Sequence, residues 1–349
     1  MVRLCLTTVL RRRVAGLGLT VVQLACIARL FGGRSALAAV LNVGPGGAYP
    51  TPSAAIAAAK NGDTVLVAPG TYYDCAIVRQ EDLTIAGSGD GAVLTDKPCA
   101  GKALLVIDGR DITVRNLTLA RVRVPDGNGA GIRAEGINLT IDHVNFINDQ
   151  DGILAAYQPN STIVVRNSSF AKNGDCQSRC GHAIDAGNVR MLRVVNSDFR
   201  QAAGGNHISS SAQHTELLGD TFVDEGGRMT GALVHVNGGA LMMQGSTVLL
   251  SSAASRPGTV LVTGSALEIT VRRNTLREPA DANIPLVRNW TGVPVTAADN
   301  SVPDWTNATS DRGELYHRLR TGLARLRGSL HAVLGSAKHA AAGLLRRVL

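Results

Sequence analysis

The sequence predicts an all-β fold, a right-handed parallel β-helix (solenoid), with a short N-terminal capping helix and a basic amphipathic C-terminal helix. Three observations lead to this prediction: a strand unit that repeats along the chain, turn residues that recur at one position of the unit, and a composition rich in small residues. The 349 residues include 39 glycines, and only 3% are aromatic. Small and β-branched side chains suit a fold of tight, repeated turns better than a helical bundle.

The repeating unit is a run of alternating apolar and polar residues that closes on an apolar residue. Alternation of this kind is typical of strands that bury one face in a core. The closing residues lie about 23 to 29 positions apart, which is the length of one solenoid coil. They are Leu119, Phe146, Phe170, Phe199, Phe222, Val248 and Leu276.

Asparagine occupies one turn position in three of these coils, at Asn116, Asn167 and Asn196. Asn tolerates the left-handed backbone of a tight turn, and stacked turns would let these amides hydrogen-bond to one another. A β-sandwich is the alternative fold, but its hairpins need two-residue turns such as Asn-Gly or Asp-Gly. No such pair recurs at a fixed spacing, so the pattern favours the β-helix.

The chain divides into a signal peptide at 1–38, a β-helix at 39–305 and a basic helical tail at 306–349. A basic start, an apolar run at 14–28 and small residues before Ala39 are typical of a cleaved secretory signal. A membrane anchor is the alternative, but the apolar run is short for a bilayer span. We therefore expect a periplasmic or secreted protein.

A short helix is expected at the start of the β-helix, because Thr51 can cap it and Pro52 suits the first helical position. The strand at 64–68 follows and ends at Pro69-Gly70. Together they would cover the first open sheet edge, which otherwise invites aggregation.

The formal net charge of +8 is concentrated at the two ends of the chain, and no nucleic-acid-binding motif is present. In the tail, apolar residues recur every three or four positions from Leu315 to Val348, which predicts an amphipathic helix. That helix would lie on an anionic membrane surface or cap the last coil. We expect a monomer with no nucleic-acid partner.

Four cysteines remain after the predicted signal peptide, and they allow three disulfide pairings. Pairing Cys75 with Cys99 and Cys176 with Cys180 fits a repeat fold best, because repeats contact only their neighbours. Disulfides belong to the periplasm or the cell exterior. A metal site is the alternative, but no second cysteine pair lies near Cys176 and Cys180.

In three successive coils, polar residues occupy equivalent strand positions and therefore lie next to one another. If Ile184, Ile208 and Val234 point inward, their neighbours point outward and form columns. The first column is Asp185, Ser209 and His235; the second is Gly187, Ser211 and Asn237; the third is Ala183, His207 and Leu233. His182 stands at the start of a strand.

These columns are the candidate site. The candidate catalytic residues are His207, His235, Asp185 and His182, because His can act as acid or base near neutral pH and Asp can orient it. The candidate substrate-binding residues are Ser209, Ser211, Asn237, Arg133, Glu135, Asp149 and Asp151. The alternative interpretation is an ordinary solvated face. A serine hydrolase is disfavoured because the sequence lacks a G-x-S-x-G elbow.

The segment 61–72, with Asn61-Gly62-Asp63 before a strand and Pro69-Gly70-Thr71-Tyr72 after it, resembles the first coil of exported bacterial β-helix proteins of the pectin lyase-like superfamily. The resemblance extends over about 42–304. It implies a polysaccharide or other glycan as partner, and an activity as lyase, hydrolase, esterase or epimerase, or a non-catalytic role. Some members use Ca²⁺ to neutralise a uronate, so the resemblance makes Ca²⁺ possible here.

The sequence departs from the superfamily's catalytic patterns. Lyases of the superfamily carry Lys followed by Ser where this chain has Ser209-Ser210, and they carry an Arg one coil later, where this chain has His235. The polygalacturonase pattern is echoed only by Asp149 to Gly152 and by Gly181-His182. Two hypotheses follow: a glycan-active lyase, hydrolase or epimerase, and a non-catalytic glycan-binding or cell-surface structural β-helix with a degenerate site.

Overall fold

The computed structural model describes residues 37–177, 180–224, 231–250, 259–279, 284–304, 306 and 309–311. The apolar run of the predicted signal peptide and the predicted C-terminal helix lie outside the described residues. Among those described, no helix is long and apolar enough to cross a membrane.

The described chain contains 28 strands and one short helix. The first elements are β1 (Val40–Val43), α1 (Pro52–Ala58), β2 (Thr64–Val67), β3 (Gly70–Tyr72), β4 (Ala76–Val78), β5 (Thr84–Gly87), β6 (Ala92–Thr95), β7 (Ala103–Ile107), β8 (Arg110–Arg115), β9 (Thr118–Ala120), β10 (Ala130–Ala134), β11 (Ile137–Asp142), β12 (Asn145–Ile147), β13 (Asp151–Ala155) and β14 (Gln158–Arg166). The remaining strands are β15 (Ser169–Ala171), β16 (Ile184–Asp185), β17 (Val189–Val195), β18 (Asp198–Arg200), β19 (Ile208–Ser210), β20 (His214–Leu218), β21 (Thr221–Asp224), β22 (Val234–Gln244), β23 (Thr247–Leu250), β24 (Val260–Arg272), β25 (Thr275–Arg277), β26 (Val287–Asn289), β27 (Val295–Ala298) and β28 (Thr309–Asp311).

These strands stack in parallel along three faces, which confirms the predicted β-helix. Sheet I contains β4, β7, β10, β13, β16, β19, β22, β24, β26 and β28. Sheet II contains β1, β2, β5, β8, β11, β14, β17, β20, β22, β24 and β27. Sheet III contains β3, β6, β9, β12, β15, β18, β21, β23 and β25. The chain passes through sheets I, II and III in turn, and the long strands β22 and β24 serve both I and II.

Helix α1 begins after Thr51, whose side chain accepts a hydrogen bond from the Ala54 amide. Its buried face includes Ala55 and Ile56, which join the main core. The helix lies against the first strands β1, β2 and β4.

The closing aromatic residues of four coils form a continuous stack inside the solenoid. Phe146, Phe170, Phe199 and Phe222 are at most 1% exposed. Their ring centroids are separated by 4.6, 4.8 and 4.9 Å. This is the coil spacing of a parallel sheet, so each ring packs on the identical ring of the next coil.

The turn between sheets II and III has the left-handed backbone that its asparagines predicted. The φ angles of Asn116, Asn167 and Asn196 are 53°, 51° and 49°. The predicted ladder of side-chain hydrogen bonds forms one residue later instead. At that position each side-chain oxygen accepts a hydrogen bond from the backbone N–H of the equivalent residue in the preceding coil. Its members are Ser168, Ser197, Asp220, Ser246, Asn274 and Asn300.

Both disulfides join the cysteines that the repeat fold favoured. Cys75 pairs with Cys99, with 5.4 Å between their Cα atoms, and Cys176 pairs with Cys180 at 4.0 Å. The first disulfide holds Cys99 against a small apolar cluster on the outer side of sheet I, formed around Val106 and Leu154. These bonds fit an oxidising compartment, periplasmic or extracellular.

We expect Phe170→Ala to lower the free energy of unfolding by roughly 3–5 kcal/mol, because it opens a cavity between two stacked rings. Urea unfolding followed by circular dichroism would measure the change. Tyr157→Ala is the control, since Tyr157 is 72% exposed and its loss should cost less than about 0.5 kcal/mol. Equal effects of the two variants would contradict this account of the core.

We also expect Asp220→Asn to stabilise the protein at pH 8. Burial raises the pKa of Asp220 from 3.8 to about 7, so the folded protein holds a proton that the unfolded chain releases. Stability therefore falls as pH rises from about 4 to about 7, by at most roughly 4 kcal/mol. An amide at this position, as at Asn274 and Asn300, has no charge to bury, so this loss of stability at high pH disappears.

Urea unfolding of both proteins at pH 5 and pH 8 would test this expectation. Asp90→Asn is the control, since Asp90 is exposed. A gain of stability that is the same at both pH values, or none at pH 8, would show that Asp220 is not the group responsible.

Candidate functional site

The candidate site lies on the outer face of sheet I, where one column runs the length of the solenoid. The register places Asp185 opposite Ser209 and Ser209 opposite His235, as predicted. We call the whole row the central column. From its N-terminal end it is Ile77, Val106, Arg133, Leu154, Asp185, Ser209, His235, Leu261, Arg288 and Ser310.

Asp185, Ser209 and His235 are half-buried and stand on three consecutive coils. Each points outward because its neighbours Ile184, Ile208 and Val234 point into the core, where they are at most 1% exposed. Coils lie ~4.8 Å apart, so the three side chains line a continuous stretch of the surface.

His235 is fixed by a hydrogen bond between its Nε2 and Thr263 Oγ1, at 2.9 Å. The Thr263 hydroxyl also donates to Asn237 Oδ1 at 3.3 Å. Partial burial lowers the pKa of His235 below 6.5. Its imidazole is therefore mainly neutral at pH 7 and is able to accept a proton.

The N-terminal end of the column carries an ion cluster. Glu135 Oε1 lies 2.7 Å from Lys102 Nζ and 3.3 Å from Arg133 Nε. Burial by itself raises the pKa of Glu135, but the hydrogen bond from Lys102 and the charges of Lys102 and Arg133 outweigh it, so the pKa is lowered. The predicted pair of Arg133 and Glu135 is thus brought together, with their charges largely engaged by each other and by Lys102.

The second column contains Gly187, Ser211, Asn237 and Thr263. The Ser211 amide donates to the Gly187 carbonyl, and Asn237 pairs with Thr263. Asn237 is exposed and Ser211 is half-buried, so both are accessible beside Ser209 and His235.

The prediction that the third column faces outward is wrong. Ala183, His207 and Leu233 are at most 2% exposed. They precede the first residues of β16, β19 and β22, where the chain is still turning inward from sheet III, so strand alternation does not extend to them. The His207 ring lies inside, with its centroid 5.8 Å from that of Phe199 and 6.3 Å from that of Phe222. A glycan on the surface does not reach it.

Asp149 and Asp151 were predicted to contact substrate from a loop, but both are 0% exposed. Asp149 Oδ1 accepts the Val122 amide at 3.0 Å, and burial raises its pKa well above 3.8. Asp151 Oδ1 accepts the His182 amide at 2.7 Å. These carboxyls hold the turn from sheet III to sheet I and are not on the surface.

His182 is half-buried in the same turn. Its Nδ1 accepts a hydrogen bond from the backbone N–H of Asn206 at 2.9 Å. The histidine thereby bridges two adjacent coils beside the start of β16.

The structure adds two residues that sequence reasoning missed. Lys102 joins the cluster of Glu135 because β7 and β10 are neighbours in sheet I. Arg288 occupies the central column two coils beyond His235. The alternation of β26 places Arg288 outward, but the coil boundary after Leu276 is too irregular in sequence to reveal that register.

The possible Ca²⁺ site has no ligand set here. Among the described residues, no three side chains of His, Cys, Asp or Glu are grouped closely enough to hold a metal ion. Asp185 lies two coils from Arg133, the column residue that Glu135 contacts, so the two carboxylates are far apart. The residues that the structure describes therefore do not fit Ca²⁺, and no step of the chemistry below uses it.

Comparisons with solved structures place the fold. An alginate lyase from Paenibacillus sp. str. FPU-7 superposes with a TM-score of 0.50 at 16% identity, over 78% of this chain and 98% of that chain. This chain has the pectin lyase-like fold. A pectin methylesterase from Aspergillus niger gives a TM-score of 0.44 at 13% identity, covering 78% of this chain and 89% of that one.

A pectin methylesterase from Erwinia chrysanthemi gives a TM-score of 0.39 at 10% identity, covering 80% and 94% of the two chains. No protein-family model matches the sequence, and no curated protein is significantly similar to it. At 16% identity the likeness to the alginate lyase shows the fold of this chain and not its activity.

We expect the His235 imidazole to titrate below pH 6.5, because burial favours its neutral form. Heteronuclear NMR of the histidine ring carbons across pH 4.5 to 8 (roughly this window brackets a His pKa) would give the midpoint. His235→Gln assigns the signal by its loss. A midpoint at or above 6.5 would contradict the described environment.

Proposed function

We propose that this protein is an enzyme that acts on an acidic polysaccharide by proton abstraction, as a lyase or an epimerase, on the outer face of sheet I. The observation that carries the proposal is the position of His235 in the central column, between Asp185 and Arg288. A polysaccharide lying along the column would contact a carboxylate, a neutral imidazole and a guanidinium in succession.

His235 is the residue suited to act as base. Both lyases and epimerases of uronates remove the proton on the carbon next to the carboxylate. A neutral imidazole does this best when its pKa lies near the working pH. The hydrogen bond to Thr263 fixes the ring, so its orientation does not have to be acquired when the substrate binds.

Arg288 is suited to stabilise the charge that develops. As the proton leaves, its electron pair moves into the carboxylate group, and a nearby cation lowers the energy of that state. Arg288 stands two coils from His235, roughly 9.5 Å along the stack, and the length of its side chain can shorten the gap. In a lyase the C–O bond to the next sugar then breaks and the departing oxygen takes a proton from water, whereas in an epimerase the same carbon takes a proton from water on its opposite face.

Glycoside hydrolysis is less well supported by the same face. It usually requires two carboxyl groups, one of them with a raised pKa. Glu135 has a lowered pKa and is held by Lys102. Asp149 and Asp151 are buried, so the described part of this face does not present the two accessible carboxyl groups that hydrolysis requires.

Binding without catalysis is the second candidate. It is favoured by the absence of lysine from β16, β19 and β22, where lyases of similar fold carry one. It is also favoured by Leu154 and Leu261, which interrupt the polar positions of the column. The alginate lyase of the same fold suggests only which polysaccharide to test first.

Activity assays on alginate, polygalacturonate and chondroitin would test the proposal. Elimination gives unsaturated products that absorb in the ultraviolet, and epimerisation in D₂O gives deuterium incorporation without chain cleavage. We expect one of the two signals. His235→Ala should lower kcat by about 10²-fold or more, and Arg288→Ala should lower kcat with a smaller effect on KM.

His214→Ala is the matched control, because His214 is exposed on sheet II of the neighbouring coil. It should change the rate by less than about twofold. Retained binding to a polysaccharide with neither signal would favour the non-catalytic candidate. New reducing ends without unsaturated product or deuterium would refute proton abstraction.

A further inference from the structure

A second polar surface lies on a different side of the solenoid, at the corner between sheets II and III. It is a cleft of about 320 Å³, within the range of small-molecule sites, ~300–1,000 Å³. Its lining is Asp90, Gly91, Ala92, Asn116, Leu117, Thr118, His143, Asn145 and Asn167. We call it the corner cleft. None of its residues belongs to the central column.

The corner cleft is built from two short columns on three consecutive coils. Asn116, His143 and Asn167 occupy the left-handed turn position, with φ angles of 53°, 55° and 51°. Thr118 and Asn145 are paired on the first position of β9 and β12. Together they present amide, hydroxyl and imidazole groups over roughly two coil spacings, ~10 Å.

Hydrogen bonds between the coils fix these side chains. Asn145 Oδ1 accepts from Ser169 Oγ at 2.6 Å, and its Nδ2 donates to Thr118 Oγ1 at 3.4 Å. Asn167 Nδ2 donates to Asp142 Oδ1 at 3.1 Å. The side-chain amides of Asn145 and Asn167 can each form further hydrogen bonds with a ligand. Because their conformations are already fixed, neither side chain loses freedom when a ligand binds.

Asp142 also orients His143. The Nδ1 atom of His143 lies 2.7 Å from Asp142 Oδ1, and Arg166 holds the other carboxylate oxygen at 3.0 Å. Burial raises the pKa of Asp142, but the hydrogen bonds from Asn167 and Arg166 and the charge of Arg166 outweigh it, so its pKa is lowered. With Nδ1 engaged by this carboxylate, Nε2 of His143 is the ring nitrogen left to meet a ligand.

The charge of the lining selects a class of ligand. It contains one carboxylate, Asp90, and no Lys or Arg, so phosphate, sulfate or a uronate would find no cation to pair with. Asn, Thr, His and Asp side chains exchange hydrogen bonds with hydroxyl groups as donors and as acceptors. Leu117 and Ala92 line the cleft as well, but their side chains are buried in the core, so the polar groups supply the contacts to a ligand.

We propose that the corner cleft is a binding site for a neutral sugar unit, a mono- or disaccharide end or side branch, separate from the proposed acidic-polysaccharide site on sheet I. Its function is recognition. The protein would then hold one glycan at two places, or anchor itself on a neutral glycan while sheet I faces another.

The neighbouring coils supply fold-compatible variants to test this site. His143→Asn installs the residue that the same turn position carries in the coils on either side, and Asn145→Thr installs the residue found at Thr118. Thr221→Ala, three coils away in the column of Asn145, is the matched control. His235→Ala separates this site from the one on sheet I.

Saturation-transfer NMR and calorimetry with cellobiose, maltose and lactose would measure binding, with a galacturonate disaccharide as the anionic probe. We expect a neutral disaccharide to bind, and its Kd to rise about tenfold in Asn145→Thr or His143→Asn through the loss of one or two hydrogen bonds. Thr221→Ala and His235→Ala should leave that Kd unchanged.

Three results would overturn the proposal: no binding of any neutral disaccharide, an unchanged Kd in both cleft variants, or a loss of binding in His235→Ala instead. Tighter binding of the galacturonate disaccharide at this cleft would overturn the choice of a neutral ligand. Because the readout is neutral-sugar affinity, failure here is distinguishable from failure of the activity proposed for sheet I.

Discussion

The structure depends on one constraint: every coil must place its backbone in register with the coils on both sides. Parallel strands repeat at ~4.8 Å, and the hydrogen bonds between them leave no freedom to shift a single side chain along the axis. Each repeat position therefore becomes a column. The phenylalanine stack inside, the polar ladder in the turn and the central column outside are three consequences of the same register.

The columns explain why buried polar groups are tolerated in this chain. Backbone amides at the corner after sheet II cannot all pair within a sheet. Ser197, Asp220 and Ser246 each accept a hydrogen bond from one of these amides in the preceding coil. Serine and asparagine do this without charge. Asp220 does it at a cost, because one of its oxygens has no hydrogen-bond partner among the described residues, and an isolated buried carboxylate is unfavourable.

The same geometry distributes recognition over separate faces. Sheet I offers an acid–base residue and cations in a line, whereas the corner cleft offers amides and a histidine and has no Lys or Arg in its lining. At the N-terminal part of sheet I, Cys99 of the Cys75–Cys99 disulfide packs against a cluster that contains the buried side chains of Val106 and Leu154. The proposed chemistry lies beyond Leu154, where Asp185, Ser209 and His235 are half-buried.

The sequence by itself determined the repeat, the inward direction of Ile184, Ile208 and Val234, the left-handed turn asparagines and both disulfide pairings. These follow from local patterns: alternation along a strand, turn preferences, and the rule that repeats contact their neighbours. It predicted the register of Asp185, Ser209 and His235 for the same reason.

Only the tertiary structure decided the rest. Alternation holds within strands and fails just before their first residues, so His207 points inward beside Phe199 although the alternation of β19 predicted an outward position. Asp149 and Asp151 accept backbone amides of the turn and are buried there, so they do not reach the surface. Lys102 forms an ion pair with Glu135, and Arg288 lies in the same column as His235, because the stacking of coils brings together residues that are distant in the chain. No local pattern encodes such pairs, since their contact depends on the exact length of every intervening coil.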